Sequence, residues 1–334
     1  MYAVVLVGGF GTRLRPLTDH IPKPMLPVVH RPMIVRLVDR LAAAGVSDVV
    51  LALGFKPEPF AEAFAGGRHG DVRVHYAVEP EPLDTGGAIA FAARSVAIDS
   101  TFVVANGDII TDLDVAALLA AHRRLDVDAT IHLTPVDDPS AFGVVELDGA
   151  GDEGRIRRFV EKPRPGETDS TLINAGTYVF EPTVVDLIPA GGRVSIERST
   201  FPALVAGGRL GGMATSDYWL DTGRPEQFLQ ANLDLVRGVR GPAADGVAPG
   251  ASVSTEAIVI ESVVSAGAVV APGATVVGSV LLPGARVDDG ADVTGSIIAG
   301  RVGAGAVVTA SVIGADHSVA PAAVVTGERL PTPG

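Results

Sequence analysis

Cysteine is absent from the 334 residues, which excludes disulfides and thiolate metal sites. Aromatic side chains are scarce, at 5% with a single Trp, so the composition does not favour a bulky aromatic core. Glycine is abundant instead, with 40 residues, and apolar residues reach 47%, which suits a sizeable core of close backbone packing and tight turns. Basic residues are outnumbered: 26 Lys and Arg face 39 Asp and Glu, a formal net charge of −13. That balance repels nucleic acid and anionic membranes at long range. Any site for a phosphate anion must therefore be a local positive exception. Long apolar runs are missing as well. The opening Met1–Val7 is apolar but far too short for a membrane span, and it lacks the basic flank and cleavage site of a secretory signal. The expectation is a soluble, cytoplasmic protein.

What is present falls into two grammars. Up to about residue 236, short Val/Ala/Leu-rich runs alternate with helical patterns. Tyr2–Val7, Asp48–Leu53, Val72–Tyr76, Thr101–Ala105 and Ala129–Leu133 are predicted as strands. Met33–Ala44, Pro57–Ala65, Gly87–Arg94 and Val115–Arg124 are predicted as helices, the last with Asp114 as its N-cap. This alternation predicts a parallel or mostly parallel sheet covered on both faces, with ligands at the C-terminal ends of strands.

Gly238–Gly246, rich in Gly, Pro and Asp, reads as a linker. Beyond it, Ala248–Ala251 and Ala271–Ala274 are identical Ala-Pro-Gly-Ala runs, and Leu282–Ala285 is a near-copy. Triplets starting at Ser262, Ser279, Ser296 and Ser311 recur at intervals of 17, 17 and 15. A six-residue turn unit, three to a coil of roughly 18 residues, is the signature of a hexapeptide β-helix, with small residues at corners and β-branched residues stacked inside. The imperfect period predicts insertions at corners. The expected division is a catalytic domain over 1–237, a linker over 238–246 and a β-helix over 247–330.

The first strand runs into Gly8-Gly9-Phe10-Gly11-Thr12-Arg13-Leu14-Arg15-Pro16-Leu17-Thr18, followed by Lys23-Pro24-Met25-Leu26-Pro27. The glycines let backbone N–H groups turn toward an anion without side-chain obstruction. Arg13 offers a planar fork for phosphate oxygens and Lys23 a mobile point charge. A glycine turn alone is usually only a turn; the added Thr-Arg and prolyl-flanked Lys make the signal specific. The spacing fits neither a Walker loop nor a dinucleotide fingerprint. Asp108 follows a strand, and Asp221 lies beside an aromatic-rich strand. Most such aspartates are caps or solvated turns, but two carboxylates sharing a cation with phosphate oxygens is how Mg²⁺ is usually held. Asn174 sits in an otherwise apolar strand and needs a partner, either a sugar hydroxyl or a neighbouring backbone group.

The glycine-rich stretch with Lys-Pro-Met-Leu-Pro resembles the signature of the sugar-nucleotide pyrophosphorylases. The resemblance continues through Glu81–Gly87, Asn106–Asp108, Phe142–Val145, Phe159–Pro163, Ile173–Gly176 and Trp219–Gly223, in the family's order. Within that family the likeness is greatest to the mannose-1-phosphate guanylyltransferases, to which Ser195–Arg198 before Phe201-Pro202 adds. It implies an α/β fold, a Rossmann-like mixed sheet of the nucleotidyltransferase type followed by a left-handed parallel β-helix. The implied activity joins a sugar 1-phosphate, mannose 1-phosphate, to GTP with release of pyrophosphate, using Mg²⁺.

By the same resemblance Arg13, Lys23, Asp108, Lys162 and Asp221 are catalytic, with Asp108 and Asp221 on the metal. Leu6, Gly8, Gly9, Gly11, Thr12, Glu81, Thr85, Gly86 and Gly87 are implied to bind the nucleotide. Asn106, Gly107, Gly143, Glu161, Lys162, Asn174 and Gly176 are implied to bind the sugar phosphate. Glu79 or Glu81 is the candidate acceptor for the N1–H and amino group of guanine, and Gly86-Gly87 is expected to admit a flat ring. The chain departs from the family at Asp84, where Gly is usual. Three rival readings are a thymidylyl- or uridylyltransferase for glucose 1-phosphate, an enzyme for an unusual sugar or cyclitol phosphate, and an inactive regulatory subunit binding nucleotide sugars. Loss of the catalytic residues would favour the last, and all are present. His317 is more naturally a surface residue than an acyltransferase base. A β-helix without catalysis offers flat stacked faces for assembly, so a homo-oligomer is expected.

Overall fold

The computed structural model describes residues 1–9, 11–54, 57–149 and 151–333. Phe10, in the middle of the glycine-rich stretch, lies outside the described residues. The chain forms two compact units that do not follow the linear division: residues 1–9 and 34–219 make one, residues 10–33 and 220–334 the other.

The first unit is built on a ten-stranded sheet. Across it run Gly143–Leu147, Glu153–Glu161, Leu210–Ala214, Ala129–Pro135, Leu172–Phe180, Phe102–Asn106, Tyr2–Leu6, Asp48–Leu53, Val72–Val78 and Arg68–His69. Tyr2–Leu6 is parallel to Asp48–Leu53 and Phe102–Asn106, and Asp48–Leu53 is parallel to Val72–Val78, as strand–helix alternation predicts. Past Phe102–Asn106 the sheet becomes mixed. Leu172–Phe180 is antiparallel to both of its long neighbours, and Gly143–Leu147 is antiparallel to Glu153–Glu161. The reason is connection length: no crossover helix separates Gly143–Leu147 from Glu153–Glu161, and a short connection can only join antiparallel strands. So the mostly parallel expectation holds for one side of the sheet alone.

The helices Met33–Ala43, Glu58–Ala63 and Val115–Leu125 fall within two residues of their predicted bounds, and Asp114 accepts from the N–H groups of Ala116 and Ala117. The helix predicted over Gly87–Arg94 starts earlier, at Asp84. Val4, Val50, Val104 and Ile131 are fully buried at the centre of the sheet. The few aromatics are concentrated there: Tyr178 stacks on Phe180 at 5.5 Å, and Phe201 meets Tyr178 edge-on at 5.3 Å. Scarcity of aromatics therefore did not prevent an aromatic core. Among the described residues no helix is long and apolar enough to cross a membrane.

In the second unit, three five-stranded parallel sheets wrap into a left-handed β-helix. Val264, Leu281, Ile298 and Ile313 stack inside, and Ala268, Ala285 and Ala306 are equally buried where the chain turns. The recurring serine has a structural cause. Each serine hydroxyl donates to the carbonyl two residues back and accepts the N–H of the serine one coil later, as in Ser279 to Ser262 at 3.1 Å. Ser311, last of the series, accepts from Glu328 instead. The short interval is a deletion and not the expected insertion. Only Ala299 and Gly300 separate Ile297–Ile298 from Arg301–Val302, where Leu282–Ala285 separate the equivalent strands a coil earlier. Gly300 permits this because any Cβ would collide with the carbonyls of Gly314 and His317.

One core residue of the first unit predicts a pH response. His132 is fully buried on Ala129–Pro135; Nε2 lies 2.9 Å from the Thr215 hydroxyl, and Nδ1 has no partner. Burial pushes its imidazole down to about 4, well below its unfolded value. The unfolded chain thus binds a proton that the native protein refuses. The stabilising effect is complete above about pH 6.5 and is lost as pH falls toward 4, worth about 3 kcal/mol. Urea unfolding across that range is expected to show uptake of one proton in the wild type that is missing in His132→Leu.

Candidate active site

In the first unit, strand ends and a helix start enclose a cavity of about 240 Å³ lined by Leu6, Gly8, Gly9, Glu79, Pro82, Asp84, Thr85, Ala88 and Arg193. Leu6 ends its strand, and Glu79 directly follows Val72–Val78, the C-terminal strand ends where ligands gather in such sheets. Gly8 cannot be enlarged cheaply, since a Cβ would come within 3.1 Å of the Gly54 nitrogen. Glu79 is only 9% exposed; its Oε2 accepts from the Leu83 N–H at 2.9 Å, and Oε1 faces Gly8. Of the two candidate base readers, Glu79 is thus in the wall, while Glu81 is exposed and outside it.

Asp84 adopts φ +61°, which explains why Gly is favoured at its position. Aspartate tolerates this geometry because its Oδ1 accepts from the Thr85 N–H at 2.8 Å. The Gly86-Gly87 pair does not open onto the cavity. A Cβ on either would lie 3.0 Å from a backbone carbonyl of Val194 or Gly192, so these glycines let the helix pack on the 192–194 segment. Thr85 is held there too: its hydroxyl donates to Glu197 Oε2 at 2.7 Å and accepts from the Ile196 N–H. Nothing in the local sequence marks Arg193 or Glu197 as a site residue. Only the Ser-Ile-Glu-Arg likeness pointed to that segment.

The sugar-phosphate candidates lie in the same unit. Leu172–Phe180 loses register with Ala129–Pro135 between Asn174 and Tyr178, and Gly176 sits in that irregularity at φ +76°. Such bulges re-aim side chains beside functional sites. A Cβ on Gly176 would stand 2.6 Å from Asn106 Nδ2, so the glycine lets Asn106 approach. Asn174 finds protein partners, donating to the Tyr178 hydroxyl and accepting from the Gly176 N–H. Gly107 packs against Val7 and the Leu6 carbonyl, and Gly143 against the Phe159 ring, 2.5 Å from where its Cβ would be. Lys162 ends the Glu153–Glu161 strand at φ +51°, a strained conformation for a lysine, with Nζ 3.7 Å from Glu161.

This region is acidic. Burial and then the charge of Glu197 raise the Glu161 carboxyl. Burial and then Glu197 also push the Tyr178 phenol far above its ordinary range, with Glu161 and Asp108 adding to the effect.

The second unit carries the other catalytic candidates. Gly11 has φ +61°, and a Cβ there would meet Thr18 and Lys23 at 3.1 and 3.2 Å, so only glycine lets the loop fold back on itself. Thr12, exposed, opens the single turn Thr12–Leu14 that carries Arg13. Lys23 is 6% exposed, with Nζ 3.5 Å from Asp221 Oδ1. Gly223 is where Arg13 and Asp221 converge: a Cβ would lie 2.9 Å from Arg13 Nη2 and 3.0 Å from Asp221 Oδ1. Arg13, Lys23 and Asp221 thus share this unit, whereas Asp108 and Lys162 belong to the first.

Comparison with known proteins gives this geometry a family. The nucleotidyl transferase family model matches residues 2–238, and a GlmU-like C-terminal hexapeptide model matches 247–330. The mannose-1-phosphate guanylyltransferase of Mycobacterium tuberculosis is 45% identical over 78% of this chain and 74% of its own. The mannose-1-phosphate guanyltransferase of Schizosaccharomyces pombe is 41% identical over 75% and 69%. Among solved structures, HddC of Yersinia pseudotuberculosis complexed with GMP-PN superposes with a TM-score of 0.58 at 31% identity, over 69% of this chain and 97% of that one. With both halves of the chain matched, the chain belongs to the nucleotidyl transferase family.

Proposed function

We propose that the protein joins mannose 1-phosphate to GTP, forming GDP-mannose and releasing pyrophosphate. The observation that carries this reading is the meeting of Arg13 and Asp221 over Gly223 with Lys23 buried beside them, a cationic exception in a chain of net charge −13. The names of the guanylyltransferase relatives support the substrates. Glu79 supports the base: a carboxylate in the wall of the cavity accepts from the adjacent N1–H and amino donors of guanine. Uracil and thymine set carbonyl oxygens on both sides of their single ring N–H, which a carboxylate repels.

In this reading a phosphate oxygen of the sugar phosphate attacks the α-phosphorus in line. A new P–O bond forms, the bond to the bridging oxygen breaks, and pyrophosphate leaves. A phosphate monoester dianion is already nucleophilic near neutral pH, so no general base is needed. The protein's task is to offset repulsion between two anions and align them. Arg13 and Lys23 serve the triphosphate, Lys162 the sugar phosphate and Glu161 the sugar hydroxyls; Asn174, already bonded to Tyr178 and Gly176, offers the sugar its remaining amide hydrogen and oxygen lone pair.

Asp108 and Asp221 are the proposed holders of Mg²⁺. Their hard oxygen donors fit it, and no group of three or more metal-ligating side chains occurs among the described residues. An ion that completes its shell with substrate phosphates and water, as Mg²⁺ commonly does, suits that sparse donor set. When bound it would neutralise charge on the phosphate oxygens. The same reading makes the protein a cytoplasmic homo-oligomer assembled through the β-helix, one sheet of which exposes Ile258, Ile260 and Val324.

A matrix of GTP, UTP, dTTP and ATP against mannose and glucose 1-phosphates, scored for pyrophosphate, is expected to peak at GTP with mannose 1-phosphate. A peak elsewhere overturns the substrate assignment. Arg13→Ala and Lys23→Met are each expected to lower kcat by about a hundred- to a thousandfold with the fold kept by circular dichroism. Near-wild-type rates in both would refute their roles. Glu79→Gln is expected to cost GTP about a hundredfold in kcat/KM while sparing UTP. A uniform loss across bases would show Glu79 to be structural.

A further inference from the structure

The stretch from Gly11 to Lys23 carries two catalytic candidates yet has little regular structure of its own: single turns at Thr12–Leu14 and Lys23–Met25. No strand pairing sets its path between them. Its own turns, closed by the N–H groups of Leu14, Leu17 and Asp19 and by the Thr18 hydroxyl on the Gly11 carbonyl, shape it locally. Its seat within the second unit is the end of the β-helix.

Three contacts define this seat. Arg329, on the last strand Arg329–Leu330, donates from Nη1 to the carbonyl of Arg13 at 2.9 Å. Gly314, on the coil beneath, lies so close to Pro16 that a Cβ would stand 2.8 Å from its ring, and Pro16 is buried there. Asp316 meets His20 at 2.5 Å. The last pair is exposed on both sides and contributes little. Arg329 does more than pin one loop. Its Nη2 also lies 3.3 Å from Glu226, in the first turn of the helix Pro225–Val236, one residue beyond Asp221-Thr222-Gly223. One guanidinium therefore ties together the two segments whose side chains meet over Gly223.

We infer that the terminal coil of the β-helix is part of the catalytic apparatus, with Arg329 as the positioning residue that sets Arg13 against the phosphates. In this role Arg329 acts through the Arg13 backbone. This rests on the catalytic role assigned to Arg13 above. A guanidinium displaced by about an ångström from developing charge loses much of its effect on the chemical step, with little effect on ground-state binding.

The test is a double-mutant cycle in the full-length protein, with Arg13→Lys as the second background because it retains a cation and a measurable rate. Arg329→Ala is expected to lower kcat about tenfold or more. KM for mannose 1-phosphate should stay within about twofold of wild type, since ground-state binding is untouched. In the Arg13→Lys background the same change should have almost no effect, because the geometry it protects is already lost. Arg329→Lys, which keeps one donor, should recover part of the rate. Thermal melting is read alongside, and Arg329→Gln replaces Arg329→Ala if the latter melts early. An equal loss in both backgrounds overturns the inference, because Arg329 would then act independently of Arg13. An unchanged kcat in Arg329→Ala also overturns it. If Arg13→Ala itself keeps wild-type turnover, the functional reading fails first, and that result is read separately from the cycle.

Discussion

A lysine almost wholly withdrawn from water, 3.5 Å from an aspartate, sits at the heart of the second unit. Burying an ammonium group is costly unless an anion and further polar partners attend it. Lys23 therefore constrains the chain on both sides of it. Gly11 must lack a side chain for the loop to close over Lys23, and Asp221 must stand where the strand Trp219–Asp221 delivers it. Gly223 must stay bare so that Arg13 can reach the same point. The Lys-Pro-Met-Leu-Pro and Asp-Thr-Gly motifs, far apart in the chain, are two halves of one electrostatic arrangement.

That arrangement rests on the end of the β-helix as well, through Arg329 on the Arg13 carbonyl. Its interior is a repeat held by serine hydroxyls passing hydrogen bonds from coil to coil and by stacked aliphatic side chains. Such a stack is stiff, because each coil is bonded to the next along three sheets. A stiff terminal coil is a suitable bed for a loop built only of turns. The compact units fall where this logic puts them, with residues 10–33 grouped with the β-helix.

The first unit solves a different problem, that of presenting carboxylates and amides at strand ends without collapsing on them. Glycines at 143 and 176 leave room for Phe159 and Asn106, and the irregular register near Gly176 turns Asn174 back onto Tyr178. Burial is the main cause of the raised Tyr178 phenol, and the charges of Glu197, Glu161 and Asp108 add to it.

Much of this was legible in the residues alone. Short Val/Ala/Leu-rich runs alternating with helical patterns located the strands and helices of the parallel side, and the spaced serines announced the β-helix, because both signals are local and repeat. The signature motifs named the class of chemistry for the same reason: phosphate handling needs particular residue types at short spacing. Tertiary structure decided what depends on neighbours distant in sequence. It chose Glu79 over Glu81 for the cavity wall, gave Gly86 and Gly87 to helix packing, and turned the short serine interval into a missing corner. It also set Arg329 on the carbonyl of Arg13, more than three hundred residues away in sequence. No local pattern encodes such a contact, since a side chain's neighbours across the fold leave no periodic trace in its own segment.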